Sequence, residues 1–206
     1  MKKLFILFIT AMVIFSTISA CGRWFIFYHK PEYRGRVIDA ETKAPIEGAV
    51  VVVMYYKQFI MGLAESGKES IMKVKETLTD SKGEFYFPSD TGLMPFFSTE
   101  TFTDFIIYKP GYLYSNGDQK PDLLNQGGLS NAVLIEKYFS SDVIGKEKEI
   151  RVGYYHWKGP LGIVELQRGD GMSPSPPDDY RSKALPLLFK AINEDRKRRG
   201  LEGEIK

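Results

Sequence analysis

From residue 33 onward the apolar positions recur with the period of strands. Tyr33, Gly35 and Val37 alternate with Arg34, Arg36 and Ile38, which predicts a half-buried strand. Residues 49–56 (AVVVVMYY) form an unbroken β-branched and aromatic run, the pattern of a central strand covered on both faces. Met72, Val74 and Leu78 alternate with Lys73, Lys75 and Thr77, and Phe85 and Phe87 with Glu84 and Tyr86. Residues 103–108 (TDFIIY) and 132–136 (AVLIE) are further short runs. Turn formers separate them. Residues 43–48 (KAPIEG) divide the first two strands, and 109–112 (KPGY) mark a later turn. Residues 79–83 (TDSKG) predict a hairpin closed by a type I turn, with Gly83 in the left-handed region. Several short strands with little helix predict a mainly β fold, a sandwich.

The pattern changes at both ends. Ser173-Pro174-Ser175-Pro176-Pro177 is a Pro-rich linker, followed by a short turn at Asp178 and Asp179. Pro186 then suits the first turn of a helix, where its missing donor costs nothing. Leu187, Leu188, Ala191 and Ile192 form the apolar stripe of that helix, and Gly200 its stop. The cations at 196–199 complement the helix dipole and also offer a basic patch. At the other end, Lys2 and Lys3 precede an apolar run, and residues 4–22 are 19 consecutive uncharged positions. The expected organisation is a signal at 1–20, a membrane-proximal segment at 21–32 and a sandwich at 33–140. An aromatic-rich segment with further strands follows at 141–172, then the linker and helix at 173–206.

Ile18-Ser19-Ala20-Cys21 resembles a bacterial lipobox: an aliphatic residue, two small ones, then Cys. The resemblance implies cleavage between Ala20 and Cys21 and acylation of Cys21, tethering the chain to a membrane. Gly22 is not the Asp that favours inner-membrane retention in such proteins, which leans toward an outer membrane facing the periplasm. The same segment also fits an uncleaved signal anchor, being close to the ~20 apolar residues that span a bilayer, or a plain secretory signal. The aromatic run Trp24-Phe25-Ile26-Phe27-Tyr28 fits a membrane interface or a first strand equally.

Gly35-Arg36-Val37-Ile38-Asp39, Pro45-Ile46-Glu47-Gly48-Ala49 with the valines after it, Thr79-Asp80-Ser81-Lys82-Gly83-Glu84-Phe85-Tyr86-Phe87 and Tyr108-Lys109-Pro110-Gly111-Tyr112 together resemble the carboxypeptidase regulatory-like domain. The resemblance covers about residues 33–138. It implies a transthyretin-like Greek-key β-sandwich, here with a C-terminal helical extension, and no catalytic centre. Wide spacing at 57–71 and long loops at 88–102 and 111–131 depart from the compact pattern and are natural places for binding.

Composition narrows the chemistry further. The chain has 206 residues, 43% of them hydrophobic, with one Cys and two His. A single Cys excludes an internal disulfide and a thiolate-cluster metal site. The net charge of +2 is no footprint for nucleic acid, and both surplus charges sit at Lys2 and Lys3. Gly62-Leu63-Ala64-Glu65-Ser66-Gly67-Lys68 imitates a P-loop, but Glu69 stands where a magnesium-binding hydroxyl belongs, so no nucleotide is expected. Hydroxyisourate hydrolase shares the transthyretin-like fold, yet Arg36 falls where its first-strand His would be. Tyr180-Arg181-Ser182 also lacks its terminal Gly-containing motif. His29 and His156 stand alone, and Asp39, Glu41, Asp80 and Glu84 match no calcium loop. The expectation is a non-enzyme without metal or cofactor. It would be anchored by lipid and would engage an envelope protein or polysaccharide, with Tyr155, His156 and Trp157 as a candidate partner surface. The alternatives are an accessory or degenerate subunit of an exported hydrolase system and a purely structural envelope lipoprotein.

Overall fold

A computed structural model of the chain describes residues 27–60, 67–94, 97–113, 115–116, 149–152, 155–158, 161–169, 174, 184–201 and 203–205. In chain order its strands are β1 (Phe27–Lys30), β2 (Tyr33–Asp39), β3 (Val50–Phe59), β4 (Glu69–Leu78), β5 (Glu84–Phe87) and β6 (Asp90–Leu93). Then come β7 (Ser98–Tyr108), β8 (Ser115–Asn116), β9 (Glu149–Val152), β10 (Tyr155–Lys158) and β11 (Leu161–Leu166). One helix, α1 (Pro186–Arg198), follows. The strands form a five-stranded sheet in the order β5-β2-β11-β10-β9, a four-stranded sheet β4-β3-β7-β8 and a two-stranded ribbon β1-β6. The fold is the mainly β sandwich with a C-terminal helix that the sequence predicts.

The alternation on β2 puts Tyr33 and Val37 into the core and leaves the flanking arginines half-exposed. On β3 both faces are covered. Val51, Val53 and Tyr55 pack with Tyr33, Val37, Phe85, Phe87, Phe105, Ile107, Val164 and Leu166 between the two sheets. Val50, Val52 and Met54, with Ile106 and Tyr108 of β7, pack instead under Leu185, Leu188, Phe189, Ala191 and Ile192. The molecule is therefore three layers deep, sheet on sheet on helix, and β3 and β7 form the middle layer. The C-terminal helix is a structural cover for an apolar sheet face that would otherwise meet water.

Three local expectations change. Residues 79–83 do not close a hairpin: β4 lies in the four-stranded sheet and β5 in the five-stranded one, so the turn is an arch between sheets. The left-handed Gly83 is as expected, at φ 72°. Turn chemistry is local, and it does not specify which neighbour the next strand pairs with. The wide spacing at 57–71 is shortened at both of its ends by ladder, because β3 and β4 stay paired out to Gln58 and Glu69 past a bulge at Tyr55 and Tyr56. The loop expected at 88–102 contains β6 and the first part of β7. Beyond residue 140, β11 pairs in parallel with β2 and its Val164 and Leu166 are core, so that segment supplies an interior strand. The strand expected at 132–136 and nearly all of the linker at 173–177 lie outside the described residues.

Candidate functional site

The polar residues at the end of β2 and in the 79–84 segment act as fasteners between turns and strands. Asp39 ends β2 almost fully buried, at 2% exposure. Its Oδ1 accepts the amides of Thr42 at 2.9 Å and Glu41 at 3.0 Å. Its Oδ2 accepts Arg168 Nε at 2.7 Å and the Tyr112 hydroxyl at 3.1 Å. The Thr42 amide and the Arg168 guanidinium, with the Glu41 amide and Tyr112 hydroxyl, hold the carboxyl well below the usual carboxylate range. Burial, and then the neighbouring Asp39 charge, push the Tyr112 hydroxyl up. One carboxylate thus joins the turn after β2, the 109–112 turn and the chain leaving β11.

The 79–83 arch is built the same way. Thr79 Oγ1 accepts the Ala49 amide at 2.8 Å and donates to the Ile46 carbonyl at 2.7 Å. Asp80 Oδ1 accepts the amides of Lys82 at 2.9 Å and Glu84 at 2.8 Å. Glu84 pairs with Arg36 across β2 and β5. Of the four acids weighed against calcium loops, Asp39 and Asp80 accept backbone amides, and Asp39 and Glu84 pair with Arg168 and Arg36; Glu41 contributes its backbone amide to Asp39. Among the described residues no three His, Cys, Asp or Glu side chains are grouped to hold a metal.

A second buried acid secures the ribbon. Asp90, at 7% exposure, takes Lys73 Nζ at 2.7 Å and Lys75 Nζ at 2.6 Å from β4, and the Tyr28 hydroxyl at 3.2 Å from β1. Burial raises its pKa, but the two ammonium groups outweigh that and hold it below the ordinary value. Lys30, also buried, reaches the Thr101 carbonyl of β7 at 3.4 Å. No sequence pattern signals these contacts, because Lys73 and Lys75 look like the solvent side of an alternating strand.

The other singled-out residues divide as follows. Ala20 and Cys21 lie outside the described residues. Tyr155, His156 and Trp157 lie on β10, an interior strand. Tyr155 is level with Val164 and Trp157 with Gly162, and His156 falls between them level with Ile163. The three residues therefore occupy alternating positions across the pleat. His29 sits on the ribbon, its Nδ1 at 2.9 Å from Thr91 Oγ1, in a different sheet from His156. Glu69, which follows Gly67-Lys68, opens strand β4; the helix N-terminus that a P-loop needs is not formed there. The basic 196–199 stretch is partly committed: Arg198 Nη2 and Arg199 Nη1 turn to buried Asp195 at 2.8 and 3.4 Å, and Arg196 Nε donates to the Gly203 carbonyl at 3.0 Å. No described helix is long and apolar enough to cross a membrane. Comparison with protein-family models, with curated proteins and with solved structures gives no match to this chain.

Proposed function

We propose that the protein is a lipid-anchored component of a bacterial cell envelope whose sandwich is a non-catalytic module for a protein or polysaccharide partner. The observation that carries the reading is the chain's one cysteine, Cys21, standing directly after Ser19-Ala20 at the end of a positively led apolar run. The engagement of the motif carboxylates supports the non-catalytic part. Asp39 and Asp90 are charged groups in protein surroundings, yet each is spent on strands and turns, leaving neither poised as a general base. The similarity of residues 33–138 to the carboxypeptidase regulatory-like domain points the same way.

The test is isolation of the protein from bacterial membranes, with Cys21→Ala alongside. The expected result is an intact mass bearing acyl chains on Cys21 and retention in the membrane, both lost in Cys21→Ala. In-cell crosslinking of the anchored chain should then give a saturable partner. An unmodified Cys21 would refute the anchor. A reproducible hydrolytic turnover abolished by one point substitution would refute the non-catalytic module.

A further inference from the structure

We propose that the end of the sandwich where β1 begins rests on the bilayer surface, through the side chains of Phe27, Leu93, Phe97 and Ile60. The inference rests on the lipid-anchored reading and adds an orientation to it. Seven large apolar side chains are exposed among the described residues, and these four gather at one end. Phe27 and Leu93, 61% and 69% exposed, are direct cross-strand partners at the open end of the ribbon. Leu93 and Phe97 are four residues apart, a span of at most about 14 Å. Phe97 in turn accepts the Ile60 amide through its carbonyl at 2.8 Å, just past the last β3–β7 pair, Phe59 with Ser98. Phe97 holds its exposed ring at φ 58°, a left-handed backbone that an aromatic residue seldom adopts. A cluster of exposed apolar groups of this kind marks a contact surface.

The path of the chain selects lipid as the occupant. Only residues 22–26 separate Cys21 from Phe27, so an acylated Cys21 keeps Phe27 within about 20 Å of the membrane. The intervening residues include Trp24, Phe25 and Ile26, with Arg23 as the one charge. Lys68 is exposed at the same end, and Lys57 Nζ lies 5.0 Å from the centre of the Phe59 ring, so cations flank the patch as anionic headgroups require. Among the described residues Glu69 and Glu100 are the nearby opposing charges, with Glu100 directly across from Lys57 and 3.9 Å from Lys30. Exposed Leu78 lies at the far end of the same ladder, opposite Val50. Nine residues of β3 separate the two ends, about 30 Å. A chain tethered at Cys21 therefore presents the Phe27 end to the bilayer and the Leu78 end away from it.

Nitroxide labels at Leu93→Cys and, separately, Leu78→Cys test this in the full chain purified from bacterial membranes. The chain is placed in vesicles of phosphatidylethanolamine and phosphatidylglycerol at about 3:1, which present anionic headgroups. An acylated Cys21 has no free thiol, so the label goes only to the new cysteine. Collision with oxygen, which partitions into lipid, is compared with collision with an aqueous nickel chelate. The expected result is oxygen-dominated contact at residue 93 and nickel-dominated contact at residue 78. Phe27→Ser/Phe97→Ser should turn residue 93 aqueous without releasing the chain from the vesicles. Flotation and intact mass report the anchor independently. Acylated, floating chain with residue 93 as aqueous as residue 78 overturns the orientation and leaves the anchor standing. Unmodified, non-floating chain overturns both. Shielding of residue 93 from both reagents that grows with protein density would mean a second copy covers the patch, which also overturns the proposal.

Discussion

Glu76 of β4 caps α1 from across the sheet: its Oε1 accepts the Leu187 amide at 2.7 Å and its Oε2 the Leu188 amide at 3.1 Å. The helix needs this help. Its N-cap residue, Leu185, has no side-chain acceptor, and its first turn holds no acid. A carboxylate at a helix N-terminus also meets the positive end of the dipole. At the other end the chain satisfies itself, with Gly200 N donating to Lys197 O at 3.1 Å and Leu201 N to Arg196 O at 2.9 Å in a Schellman pair. Glu76→Ala should therefore cost about 1–2 kcal/mol in urea unfolding, the worth of an N-cap. Faster amide exchange at Leu187 and Leu188 should accompany it. An unchanged midpoint and unchanged exchange would mean that water serves those amides as well as Glu76 does.

Gly83 is required by space as well as by its φ of 72°. A Cβ there would lie 2.3 Å from the Val37 carbonyl oxygen, which is itself fixed by the Ile46 amide at 3.0 Å. Gly111 provides the contrast, with φ 86° and open space where a Cβ would go. Gly111→Ala should show only the left-handed penalty, about 1–2 kcal/mol. Gly83→Ala should exceed it clearly, by about 1 kcal/mol or more, since backbone atoms must move. Equal losses in denaturant titrations would show that the arch gives way freely.

These two positions also show what the sequence could and could not convey. Gly83, Pro186, Gly200 and the doubly covered 49–56 run were legible because each expresses a local rule: a left-handed turn, a helix start, a helix stop, a strand without a polar face. Glu76 was not. In the alternating β4 pattern it is one more polar residue, and only the fold places α1 above it. For the same reason a TDSKG turn could not reveal whether β5 would return beside β4 or cross to β2. The ribbon was hidden too, because Asp90-Thr91-Gly92-Leu93 has no apolar alternation. It is stabilised by Tyr28 lying over Gly92, where a Cβ would fall 2.7 Å from the ring. The Asp39 carboxylate was visible as a motif residue, but its partners Tyr112 and Arg168 come from 73 and 129 residues away.

The depressed ionisation of Asp39 gives stability a defined pH dependence. Its folded pKa lies below the unfolded value, near 3.9 for an ordinary Asp. The stabilisation is thus fully present above about pH 5 and is lost as pH falls through the ordinary value toward the lower folded one. Asp39→Asn keeps the shape but gives up the charge that Arg168 and two amides address. The variant should melt below the native chain at pH 7, and the gap should narrow as the pH is lowered below about 4. A gap of constant size from pH 7 to pH 3 would mean that the charge of Asp39 does not matter and only its geometry does.

Asp90 should govern the ribbon alone. Its charge compensates Lys73 and Lys75, which otherwise face each other from alternate positions of β4, and its Oδ1 accepts from Tyr28. Asp90→Asn retains an acceptor for Tyr28 but leaves the two ammonium groups without their counter-charge. Lys73 is 41% exposed and Lys75 27%, so water screens part of the loss. The global midpoint should therefore move only modestly. The local effect should be larger, because Asp90 is the ribbon's short, doubly paired tie to β4, whereas Lys30 reaches Thr101 and Glu100 of β7 only at 3.4 and 3.9 Å. Amides of Tyr28–Lys30 and Thr91–Leu93 should exchange at least several-fold faster, while those of Val51–Met54 and Phe105–Ile107 stay protected by the two cores. Lowering the pH on the native chain should reproduce the effect, since protonating Asp90 removes the same charge. Uniform acceleration across β3, β7 and the ribbon would instead show that Asp90 is part of the global folding unit, with β1 and β6 no more separable than the sandwich itself.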